Sequence, residues 1–162
     1  MYDMNKLPLR PNVCLLVLNR EGRFFLGERL GEPGHWQFPQ GGIIPGSALE
    51  ENALRELEEE LGAPANAFRL IKTLKATHSY EWDSPPDYAR DKWRGQEQRF
   101  VLVEFLGEDS QIDLSRHEPE FMNWKWCSLE EIQKLAEPKR MTGYLAPLDE
   151  AEKFLKSKQG RA

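Results

Sequence analysis

Residues 47–61 constrain this chain more than any other segment. Leu49, Ala53, Leu54, Leu57 and Leu61 recur at three- and four-residue steps, which makes one apolar stripe on an α-helix. Ser47 and Glu50 have the spacing of a capping box, in which each side chain satisfies a backbone N–H at the helix start. Gly62 is suited to the left-handed backbone that ends a helix, and Pro64 follows it. The same helix carries Glu56, Glu59 and Glu60 at i, i+3 and i+4, so three carboxylates share one face. They repel one another and stand near the helix C-terminus, where the macrodipole disfavours anions. Each effect costs about a few tenths of a kcal/mol when exposed, and both have the same sign. From the helix alone two readings stay open: a solvated charged face, or a site where a hard divalent cation offsets the repulsion. Carboxylate oxygens suit Mg²⁺, which takes few protein ligands and fills its other positions with water and phosphate oxygens.

The rest of the chain sets this helix in an α/β layer architecture, read as one domain over residues 1–162. Strands are expected over residues 12–18, 23–28, 68–76, 99–106 and 121–127. Helices are expected over 128–136, with its own Ser-x-x-Glu start, and over 147–158. Residues 77–98, polar and aromatic with Pro85-Pro86, read as a loop with a short helical piece. Immediately before the glutamate helix lies Trp36-Gln37-Phe38-Pro39-Gln40-Gly41-Gly42, whose glycines let backbone approach a phosphate closely.

Gly41, then Arg55-Glu56-Leu57-x-Glu59-Glu60-x-Gly62-Ala63, is similar to the Nudix box, including the spacing from Gly41 to Arg55. The match departs at Ser47, where the box usually has a glutamate that partners its arginine; Glu51, four residues before Arg55, is placed to pair with it instead. Further stretches extend the resemblance over most of the chain. Arg10-Pro11-Asn12-Val13, Arg94-Gly95-Gln96-Glu97-Gln98-Arg99-Phe100 and Glu118-Pro119-Glu120-Phe121-x-x-Trp124-x-Trp126 resemble bacterial RNA pyrophosphohydrolases and the related dinucleoside polyphosphate hydrolases.

The resemblance implies the Nudix α/β/α sandwich with a mixed sheet, and attack by a metal-activated water on a phosphorus of a polyphosphate. Carried over by position, it gives Glu56, Glu59, Glu60 and Glu120 as ligands of Mg²⁺ or Mn²⁺, with more than one ion. Glu59, Glu60 and Glu120 are the expected catalytic acids, Glu120 as a further ligand or the general base. Arg10, Arg29 and Lys139 match basic positions that face phosphates, while Gln40, Gly41 and Gly42 form the glycine-rich wall. Gln96 and Gln98 are expected to reach the phosphate end or to support metal-bound waters, and Tyr80, beside Trp82, to stack on a base or to pack.

The expected substrate is a 5′-triphosphate RNA end, converted to a monophosphate end. A dinucleoside polyphosphate, cut to ATP and AMP, is the nearest alternative, and Ser47 motivates a third, a nucleotide- or RNA-binding protein that does not cut. The formal net charge of −5 argues against a general nucleic-acid or DNA binder but allows a small basic patch that grips one end. Residues 1–10 lack the apolar core of a signal peptide, and no apolar run approaches the ~20 residues that span a bilayer, so a cytoplasmic protein is expected. Cys14 and Cys127 read as buried, reduced packing thiols.

Overall fold

The computed structural model describes residues 7–159; the ends of the expected domain, and most of the segment read for a signal peptide, lie outside them. Its centre is strand β1 (Leu9–Leu18), which runs parallel to β6 (Gly95–Phe105) over ten residue pairs. Strands β2 (Phe24–Arg29), β3 (Trp36–Gln37) and β4 (Gln40–Gly42) lie antiparallel to their neighbours. So do β5 (Phe68–Glu81) and β7 (Phe121–Cys127), which completes a mixed seven-stranded sheet.

Residues Val13–Leu18 are buried on both faces, as the continuous apolar run requires of a strand covered on two sides. The alternation of strand side chains then sorts them. Val13, Leu15 and Val17 pack with Ala53, Leu57 and Leu61 of helix α1 (Leu49–Leu61). Cys14, Leu16 and Leu18 pack on the other side with Ile132 of α2 (Leu129–Leu135) and with Tyr144, Leu148 and Ala151 of α3 (Pro138–Gln159). This is the expected α/β/α sandwich. Both cysteines are free and buried. Trp36, Trp124 and Trp126 pack at the margins of the two cores.

Four boundaries differ from the sequence reading. The segment expected as a loop over 77–98 is ladder at both ends and loop only between them: β5 runs on to Glu81, β6 begins at Gly95, and Tyr80 pairs with Gln96. Its polar alternation concealed it, because this end of the sheet lines a cleft rather than a core. Strand β1 likewise starts at Leu9, held by the parallel partner. Helix α3 starts at Pro138 and contains Pro147, although proline suits a first turn and usually breaks an interior. The anchors Tyr144, Leu148 and Ala151 straddle Pro147, so burial overrides the local preference.

The fourth difference is the start of α1. Its N-cap is Ala48, with no side-chain cap, so the expected box of Ser47 and Glu50 does not form. The Ser47 hydroxyl instead donates to the Ile44 carbonyl. The equivalent box at α2 does form, with Ser128 and Glu131 bonding reciprocally. At the far end of α1, Gly62 takes the left-handed backbone (φ 75°) expected of it, and a Cβ there would collide with the Asp113 carbonyl.

Candidate active site

Strand β4 pairs with β1 through Gln40, Gly41 and Gly42, which fixes the glycine-rich wall on the central strand. Helix α1 leaves this wall and returns its acidic face against it. The approach is close enough that any Cβ at Gly41 would overlap the Glu56 carboxylate. Between them opens a hollow of about 350 Å³. Glu56, Glu59, Glu60 and Glu120 line it together with Arg10, Arg29, Gln40, Gly41 and Gly42. The sequence thus brought together all four expected acids and five of the expected substrate contacts.

The acids differ in surroundings. Glu60 is buried, and one carboxylate oxygen (Oε2) has no hydrogen-bond partner. Burial first, and then the charges of Glu56 and Glu120, hold its pKa well above the ordinary carboxylate value. Glu56 is raised too, chiefly by burial, against the opposing pull of Arg55. Glu59 is half exposed. Glu120 is exposed, in the turn just before β7, where its carbonyl accepts from the Leu30 amide at 3.0 Å.

An all-oxygen set of hard donors fits Mg²⁺ or Mn²⁺, and an orphaned buried carboxylate oxygen is what a cation would satisfy. The carboxylates ring the hollow rather than meet at a point. Among the described residues, no three His, Cys, Asp or Glu side chains gather tightly enough to hold an ion as they stand. Arg55 accounts for part of the spacing: its Nη2 sits 3.2 Å from Glu56 Oε1 and its Nε 4.0 Å from Glu59 Oε1.

Arg55 is not supported as the sequence suggested. Glu51 is exposed and makes no ion pair with it. The guanidinium donates to Asn52 Oδ1 at 2.8 Å and to the Gly42 carbonyl at 3.0 Å. Asn52 was missed because a lone asparagine on a helix reads as surface.

The basic wall is also held in place. Arg10 Nη1 donates to Gln96 Oε1 at 2.9 Å, and its guanidinium lies 4.9 Å from the Tyr88 ring centre. Tyr88, from the loop between β5 and β6, enters the hollow and has no signature in the sequence. Arg29 is bridged to Glu32 at 3.0 Å. Gln96 and Gln98 are buried, with their amides engaged inside the protein. Gln98 Nε2 donates to Gln40 Oε1 at 2.6 Å, and Gln96 Nε2 donates to the Tyr80 hydroxyl. These bonds make them supports of Arg10, Gln40 and Tyr80.

Tyr80 and Lys139 are not in this hollow. They line an adjoining cavity of about 480 Å³ with His78, Trp82, Gln98 and Arg140. Gln98 links the two spaces, since it lines the second and bonds Gln40 of the first.

The family pattern described as NUDIX domain matches residues 8–147. The chain belongs to the Nudix family. An RNA pyrophosphohydrolase of Sphingopyxis alaskensis is 39% identical to this Nudix protein over 155 residues, covering 93% of this chain and 97% of that one. One of Rickettsia prowazekii is 36% identical over 152 residues, covering 92% and 93%. Among solved structures, a C. elegans Ap4A hydrolase binary complex superposes with a TM-score of 0.65 at 24% identity, covering 90% of this chain and 98% of that one. That likeness bears on the fold. Nudix hydrolases use divalent metal ions, in keeping with the acid set here.

Proposed function

We propose that this Nudix protein removes pyrophosphate from the 5′-triphosphate end of RNA and leaves a 5′-monophosphate. The observation that carries the reading is the facing of four carboxylates and two arginines across one hollow of about 350 Å³. A triphosphate is long and strongly anionic, and such a hollow offers guanidinium groups to its oxygens and acids to its cations. The relatives named RNA pyrophosphohydrolase, matched over nearly their whole length, supply the RNA end.

Glu56, Glu59, Glu60 and Glu120 would hold Mg²⁺, or Mn²⁺ in its place, as more than one ion. Such ions neutralise the polyphosphate and lower the pKa of a bound water. Arg10 and Arg29 orient the phosphates from the opposite wall. Glu120, exposed at the rim, takes the proton of the attacking water. The new bond joins the water oxygen to phosphorus; the anhydride P–O bond breaks and its electrons leave with pyrophosphate. The first nucleoside extends toward the adjoining cavity, where Tyr80 offers a ring and Lys139 a charge. The reading carries with it the expectation of a cytoplasmic protein; separately, no described helix is long and apolar enough to cross a membrane.

The adjoining cavity of about 480 Å³ also favours a second reading, in which it receives the far nucleoside of a dinucleoside polyphosphate such as diadenosine tetraphosphate. Incubation with each substrate, with and without magnesium, separates the two. Faster pyrophosphate release from triphosphate RNA supports the first. Preferred conversion of the dinucleotide to ATP and AMP moves the assignment to the second. Magnesium-dependent cleavage of neither leaves a protein that binds without cutting, and overturns both.

A further inference from the structure

Asn52 sits in the first turns of α1, on the row that continues through Glu56 and Glu60 at steps of four. Its side chain is fully buried. A buried carboxamide in a helix is costly unless its two donors and its acceptor oxygen are used. Here the Asn52 amide uses both faces fully. Oδ1 accepts from the Ile44 backbone N–H at 2.9 Å and from Arg55 Nη1 at 2.8 Å. Nδ2 donates to Ser47 Oγ at 2.6 Å and to the Ala48 carbonyl at 2.7 Å. One side chain therefore ties the segment after the glycine-rich wall to the start of α1 and to the arginine that contacts Glu56.

A purely structural asparagine would need only to satisfy its neighbours. This one ends on Arg55, whose other nitrogen reaches both the Gly42 carbonyl and the Glu56 carboxylate. Ser47 brings no carboxylate to Arg55, and Asn52 Oδ1 is the side-chain acceptor its Nη1 has. We infer that Asn52 is a positioning residue: through Arg55 and Ile44 it sets the distance between the glycine-rich wall and the Glu56 carboxylate, and so the affinity of the site for its divalent cation. The inference rests on the metal-dependent reading above and deepens it.

The test titrates Mn²⁺ alone against the full-length chain, following free Mn²⁺ by electron paramagnetic resonance. In parallel, kcat and KM are measured on a triphosphate RNA with magnesium. Asn52→Ala is expected to weaken Mn²⁺ binding by about 10- to 100-fold, the usual cost of losing support behind a metal ligand, and to lower kcat with KM within about threefold. Asn52→Asp keeps the acceptor for Arg55 but puts an oxygen where Nδ2 donated to the Ala48 carbonyl, and is expected to lose less Mn²⁺ affinity than Asn52→Ala. Ser47→Glu added to Asn52→Ala should restore much of the affinity, because position 47 touches the same amide and a longer acid there offers Arg55 a new acceptor. A folded Asn52→Ala protein with parental Mn²⁺ affinity overturns the inference. If Asn52→Ala does not fold, the Asp variant decides, and a loss of Mn²⁺ affinity in that folded chain as large as the one expected of Asn52→Ala overturns it equally. A parent that binds Mn²⁺ yet cleaves neither substrate sinks the proposed activity and leaves the Mn²⁺ comparison readable.

Discussion

Arg10 and Gln96 are locked together at 2.9 Å, and the same Gln96 oxygen also accepts from Asn12 Nδ2 at 3.1 Å. The register explains the meeting: Arg10 and Gln96 are partners across the parallel pair β1 and β6. Tyr88 and Trp93 rings lie 4.9 and 5.7 Å from the guanidinium. Its fork is thus aimed before a phosphate arrives, which reduces the ordering that binding must impose. Gln96→Ala removes the aim without removing the charge. A rise in KM for triphosphate RNA of about three- to tenfold is expected, with kcat nearly unchanged; Arg10→Ala should cost more in KM than Gln96→Ala. Steady-state kinetics on the two variants checks the order.

Gly41 makes a sharper prediction. A methyl group at this position would occupy the space of the Glu56 carboxylate. The wall is a strand paired to β1, so the helix acid must move instead. A displacement of about 1 Å at a reacting centre can cost ~100-fold, and Gly41→Ala is expected to lower kcat by that order while circular dichroism shows a folded chain. Parental turnover would mean that Glu56 has no fixed place in the reaction.

What the sequence disclosed and what it hid follow one distinction. Glu56, Glu59, Glu60 and Gly41 were legible because like charges at helical spacing, or glycine before a helix, have local signatures. The apolar stripe of α1 and the run at 13–18 were legible for the same reason. Asn52 and Tyr88 were not, since their roles come from partners far from them in kind or in sequence. Asn52 is an asparagine inside a helix until Ile44 and Arg55 close on it. Tyr88 is one aromatic in a loop until Arg10 is placed beneath it. The strand ends at 77–81 and 95–98 looked like loop because they are polar, and they are polar because they line the cleft.

The raised pKa values of Glu56 and Glu60 give the metal-free protein a distinctive pH response. Each folded-state value lies above the ordinary glutamate value of 4.5. Over the interval above 4.5 the folded chain therefore binds more protons than the unfolded chain, and stability falls as pH rises. The contribution is whole below about pH 4.5 and is lost as pH climbs through the folded-state values. Glu28, Asp113 and Glu131 are lowered and act in the opposite sense, but their stabilisation is lost only as pH falls below the ordinary carboxylate range. Melting in a chelator should show Tm declining as pH rises above the ordinary carboxylate range, and Glu60→Gln should flatten the decline. Added magnesium should raise Tm most at the higher pH, where the acids are charged. A chelated protein whose Tm rises steadily above that range contradicts the burial assigned to Glu60.

Glu150 joins α3 to the sheet in a way that bears on the adjoining cavity. Its carboxylate accepts from the Lys75 amide at 2.8 and 3.0 Å and from the Ala76 amide at 2.9 Å. These amides lie where the β5 register to β6 shifts, between Thr73 and Thr77, so the strand does not present them to its neighbour in the regular ladder. A helix carboxylate thus satisfies two amides of an irregular strand. Tyr80 lies further along that strand, and Lys139 lies at the start of the same helix. Hydrogen bonds to a charged group contribute about 1.5–3 kcal/mol when their loss leaves donors unmet, and partial exposure places Glu150→Ala near the lower end of that range. Urea denaturation should show this loss through a lower midpoint at unchanged slope. The same variant should loosen the cavity walls and raise KM for a substrate that uses them, while kcat, set in the other hollow, stays close to the parent. A fall in kcat without a change in KM would instead tie α3 to the acids directly.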